Sequence, residues 1–157
     1  ILLGAILVHS QSAYQTVAQA GRPTLLKALD VLFLLWQAQK RGKPLGELAI
    51  LGNRDVIPDG LDSESWRTIR DALINADLIT QNMQGQYLLT RDLHNVTVIT
   101  IKSLVNQELT VPPPRADAQP WQIRAVDLLS QQRVAQSALL DVSLDELFSS
   151  PPPTEFN

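Results

Sequence analysis

Apolar positions along the chain fall into runs with different periods. Residues 1–8, "ILLGAILV", are almost continuously apolar, and polarity then rises abruptly through His9, Ser10, Gln11 and Ser12. Gly21-Arg22-Pro23 breaks the chain. Beyond it Leu25, Leu26, Leu29, Leu32, Phe33 and Trp36 recur three and four apart, which predicts one buried helical face. Val31, Leu34 and Leu35 widen that stripe, so this helix is expected to be central. Pro23 suits its first turn, and basic residues followed by a glycine at Arg41-Gly42 mark its end. Leu45, Leu48 and Leu51 predict a short second helix, and the turn-rich stretch 52–60 a loop. Asp62 or Ser63 then caps a third helix through Asn75, with Trp66, Ile69, Leu73 and Ile74 on its inner face.

The period changes after Asp77. Leu78-Ile79-Thr80 and residues 86–90 read as strands, joined by a turn at Asn82-Met83-Gln84-Gly85. Three helices followed by a β-hairpin is the order of a winged helix-turn-helix domain. Residues 96–101 are β-branched and nearly alternating, as a strand would be, yet Val98, Ile101, Leu104 and Val105 keep helical spacing. Residues 110–120, "TVPPPRADAQP", read as a proline-rich linker. Residues 121–140 are mostly helical in pattern. Ser143 and Glu146 form a capping-box signature for a last short helix ending at Phe148, and a frayed tail follows. The expected organisation is therefore 1–21, 22–109, 110–120, 121–149 and 150–157. The expected fold class is mainly α: a winged-helix-like domain with additional C-terminal helices, following the end of a transmembrane helix if residues 1–8 are read that way.

Three readings of the opening stretch compete. A signal peptide would carry an early positive charge, and none precedes Arg22. A buried element of a globular domain is the second. The third is the end of a membrane-spanning helix, comprising Ile1, Leu2, Leu3, Gly4, Ala5, Ile6, Leu7 and Val8, with Tyr14 near the interface. Arg22, Lys27, Lys40, Arg41 and Lys43, against Asp30, give the basic excess that marks the cytoplasmic side of a span.

Composition narrows the chemistry. The formal charge is −3, from 13 basic and 16 acidic residues, which argues against a dedicated nucleic-acid binder. The stretch 62–77, where a winged helix would meet the major groove, carries four acids against Arg67 and Arg70. Those two arginines are the candidate nucleic-acid contacts under that alternative, and surface ion pairing is their simpler use. Cysteine is absent, which excludes disulfides, cysteine-ligated zinc and a cysteine nucleophile. The two histidines, His9 and His94, lie far apart in sequence. Asp59, Asp62 and Glu64 could suggest a cation site, but acids at a helix N-terminus account for them. No catalytic, cofactor or metal constellation emerges.

The motifs in their order resemble the C-terminal part of the YihY/BrkB family of bacterial inner-membrane proteins, formerly labelled ribonuclease BN. "ILLGA" at 1–5 is similar to the end of that family's last membrane helix, with Ile6 where the family has an acid. Stretches 28–49 and 72–98 resemble its tail domain. "YLLTRD" at 87–92 is the most recognisable piece, and "DVSLDELF" at 141–148 resembles the family's terminus. The resemblance implies a helix after Asn95 and a chain that starts inside the last transmembrane helix of a larger protein. It implies a cytoplasmic regulatory or assembly domain of a polytopic inner-membrane protein, a transporter being one candidate. Its partners would be the bilayer, the rest of its own membrane domain, and itself or another protein. A soluble winged-helix nucleic-acid binder and a tRNA-processing nuclease rank below it.

Overall fold

The computed structural model describes residues 22–106 and 113–151. The expected membrane segment 1–8, part of the linker and the last six residues lie outside the described residues. Helix α1 (Thr24–Lys40) runs through the centre, with Ala28, Val31, Leu32, Leu34, Leu35 and Trp36 buried. Pro23 is its N-cap rather than its first helical residue. Its end is wound tight: Gly42 takes φ 65° while Lys43 N–H reaches back to the Ala38 carbonyl at 3.0 Å. Such a backbone favours glycine because a Cβ would crowd the preceding carbonyl.

The expected second helix is shorter at its start. α2 covers only Glu47–Leu51. Leu45 instead pairs with Tyr87 as an antiparallel bridge, donating to its carbonyl at 3.1 Å and accepting from its N–H at 2.7 Å. α3 (Ser63–Asn75) follows, capped by the Asp62 side chain, which accepts from Ser65 N–H at 2.8 Å. Strands β1 (Ile79–Gln81) and β2 (Tyr87–Leu89) pair antiparallel in the register Ile79 to Leu89. The Asn82 side chain closes the turn, accepting from Gln84 and Gln86 N–H, and Gly85 takes φ 78° there.

Of the contested stretch 96–109, residues 98–105 form helix α4 (Val98–Val105), preceded by a 3₁₀ turn (Leu93–Asn95), while 107–109 lie outside the described residues. Thr97 caps α4, accepting from Thr100 N–H. The start of the β-branched run does pair its backbone with the 142–144 segment, Val98 N–H donating to the Val142 carbonyl at 2.9 Å, before the helix takes over. The run's helical spacing does pay out in burial, with Val98 and Ile101 facing the core.

After α5 (Pro120–Leu139) the chain returns to the winged helix. Thr97 and Ser143 form a bridge, and Leu144 N–H donates to the Val96 carbonyl at 2.8 Å. The last helix, α6 (Leu144–Phe148), puts Leu144 into the same core as α1, α3 and α4. Phe148 closes on Phe33 and Trp36 at ring distances of 5.4 and 5.5 Å, and Trp36 Nε1 donates to Asp145 at 3.0 Å. Ser143 supplies the forward half of its cap, accepting from Glu146 N–H.

Candidate functional site

In a winged helix the surface that meets a ligand is the outer face of the third helix together with the hairpin. Here Trp66, Ile69 and Leu73 fix α3 inward, and Trp66 meets Tyr87 edge-on at 5.3 Å, which locks helix to hairpin. The outer face is left to Glu64, Arg67, Thr68 and Asp71, all exposed. Arg67 and Arg70 are three residues apart and share a side of the helix. Arg70 is half-buried and turned onto its neighbour, its Nε donating to Asp71 at 3.1 Å. That hydrogen bond is the main reason its pKa is raised further. The arginine is thus engaged before any phosphate arrives. The hairpin tip, 81–86, carries no charge at all, and Met83 stands fully exposed there.

Asp62 is likewise committed. Its carboxylate takes Ser65 N–H and Oγ at 2.8 and 2.6 Å, and Lys27 Nζ lies 3.6 Å away. The Ser65 hydrogen bonds, chiefly, hold its pKa below the ordinary value. A capped and ion-paired carboxylate has few lone pairs left for a cation, and among the described residues no group of three or more His, Asp or Glu converges as metal ligands. Exposed His94 sits on the 3₁₀ turn behind an Asp92 cap; His9 lies outside the described residues. Asp30 faces Arg22 at 2.8 Å; burial raises its pKa more than the arginine lowers it.

The feature that sequence reasoning passed over is α5. None of its twenty residues is buried. Trp121 is 69% and Leu139 78% exposed, and Ile123, Leu128, Leu129 and Val134 are also open. Its ties to the body are sparse, among them Lys102 Nζ to Gln136 at 2.8 Å and Ile99 N–H to the Leu140 carbonyl at 3.1 Å. Among the described residues no helix is long and apolar enough to cross a membrane.

No family model matches the chain. It is 31% identical to a UPF0761 membrane protein of Alcanivorax borkumensis, over 96% of this chain and 35% of that protein. A second from Alkalilimnicola ehrlichii is 27% identical over 97% of this chain and 34% of its own length. A third, from a Psychrobacter species, is 27% identical over 99% and 29%. The chain therefore spans about a third of the length of the curated relatives it matches. In three dimensions it is similar to CymR of Staphylococcus aureus, with a TM-score of 0.59 at 20% identity, covering 84% of this chain and 98% of that one. It is similar to the same degree to CymR of B. subtilis, described as a global cysteine regulator. At that identity the likeness establishes the winged-helix fold and nothing more.

Proposed function

The chain is a relative of the UPF0761 membrane proteins, the YihY/BrkB family, over nearly its whole length, and on that premise we propose that it is the C-terminal regulatory or assembly domain of a polytopic bacterial inner-membrane protein. The carrying observation is the pairing of membrane-protein relatives with a winged helix whose ligand face has no basic surplus and whose Arg70 is already held by Asp71. In this reading residues 1–8 finish the last span, the basic residues between Arg22 and Lys43 hold the domain on the cytoplasmic side, and the winged helix serves as a protein-binding scaffold. A transporter is one activity class that suits a polytopic protein. The test is alkaline carbonate extraction of membranes carrying the complete reading frame with a C-terminal tag. Retention of the tag in the pellet is expected; release into the supernatant overturns the reading.

The winged-helix fold itself supports a second reading, nucleic-acid binding through Arg67 and Arg70. Each phosphate neutralised steepens the salt dependence of affinity. That reading requires duplex DNA to bind with an affinity that falls steeply with salt, and requires Arg67→Ala with Arg70→Ala to flatten the slope by about two. Our account expects no salt-dependent binding to remove. The old nuclease label asks for metal-dependent cleavage, and among the described residues no group of three or more His, Asp or Glu converges to hold a metal.

A further inference from the structure

Of the exposed large apolar residues of α5, Trp121, Leu128 and Leu139 share one side, with Leu129 beside them, while Ile123 and Val134 lie on the other. Trp121, Ala125, Leu128, Gln132, Ala135 and Leu139 follow one another at steps of four, three, four, three and four. That four-three alternation keeps one seam along a helix, the repeat by which helices pair in a coiled coil. Five of the six are exposed and Ala125 is half-buried, so the seam faces away from the body. The order of sizes is also close to a palindrome about the middle of the helix. Laid antiparallel on a second copy, Trp121 meets Leu139, Ala125 meets Ala135, and Leu128 meets Gln132, each layer occurring twice. A parallel pair would put two Trp121 rings in one layer and two Gln132 amides in another.

We propose that α5 pairs antiparallel with α5 of a second copy of this chain. The area is adequate. The open faces of Trp121, Leu128, Leu129 and Leu139 offer roughly 500 Å² per chain, hence on the order of 1,000 Å² per pair, the lower bound for a specific interface. The flanks raise no charge barrier: Gln122, Leu129 and Gln136 line one side, and Arg124, Gln131 and Ala138 the other. Leu129 lies beside its own copy across the two-fold axis, and Arg124 lies beside an alanine. A bilayer surface is the poorer occupant. A helix lying in the headgroups carries a polar face rich in Lys and Arg. α5 has only Arg124 and Arg133, countered by Asp127, and bears Ile123 and Val134 on the side opposite the seam.

This inference deepens the assembly reading above, and its test separates the two. Two differently tagged copies of the complete protein, with any cysteines outside this chain replaced by serine, are co-expressed and oxidised in membrane vesicles. One carries Ala125→Cys and the other Ala135→Cys, both small-for-small changes on the helix surface. A mixed disulfide dimer is expected. Ala125→Cys alone should stay monomeric, because its two copies would sit about 15 Å apart along the pair. Adding Leu128→Asp should cut the mixed product at least about fivefold. If the protein stays with the membrane and no mixed dimer forms, the pairing is overturned and the assembly reading stands. Cross-linking of Ala125→Cys to itself overturns the antiparallel order. Protection of a lone Ala125→Cys from a water-soluble maleimide by vesicles, lost in a detergent that keeps the protein intact, with no mixed dimer, overturns it in favour of lipid.

Discussion

Asp62 shows how a single side chain is decided by its surroundings. It caps α3, bonds Ser65 twice and lies near Lys27, and its pKa is lowered chiefly by the Ser65 hydrogen bonds. Replacement by alanine should cost about 1 kcal/mol of stability, the usual value of a lost N-cap. Asp62→Asn keeps an acceptor at the cap and removes the charge. Because the folded pKa lies below the ordinary 3.8, the charge-dependent advantage is present above that value. It is lost as pH falls through the lower, folded pKa. Chemical denaturation of wild type and Asp62→Asn at neutral pH and near pH 3 should show the gap narrowing on acidification. A constant gap would remove the charge from the account. The capping role was legible in the sequence, as was that of Ser143, because a cap is a local pattern of three or four residues.

Elements were legible where their contacts are local. The 3-and-4 spacing of α1 and α3 and the turn residues of the hairpin required nothing distant. Two features hid because they rest on partners far along the chain. Leu45 scans as helix by spacing, yet its backbone is taken by Tyr87, 42 residues later. Leu144 looks like one residue of a short terminal helix, yet it is fully buried beneath α1 and the 93–98 segment. Leu144→Ala should therefore destabilise the winged helix by about 2–5 kcal/mol, as truncation of a buried leucine does. Thermal or denaturant unfolding followed at Trp66 would read it. A loss below about 0.5 kcal/mol, typical of a surface site, would mean α6 is not part of the core. The same logic explains why α5 was missed as a surface: periodicity predicts a helix, while its exposure depends on what else packs there.

At the scale of the whole molecule, the described residues form a winged helix closed by α6, with α5 held outside its core. The outward helix, and an α3 whose two arginines are matched by Glu64 and Asp71 with Arg70 held by Asp71, suit the proposed contact with protein better than contact with a polyanion. The sequence relatives are membrane proteins about three times as long as this chain. The side of the membrane is the most consequential part of that account, since it fixes what the domain can meet. The direct measurement is protease access to a C-terminal tag on the complete protein in right-side-out and inverted inner-membrane vesicles. Cleavage only in inverted vesicles is the predicted result and places the winged helix and α5 in the cytoplasm. Cleavage only in right-side-out vesicles would contradict it, and with it the reading of the basic segment 22–43 as the cytoplasmic flank of a span.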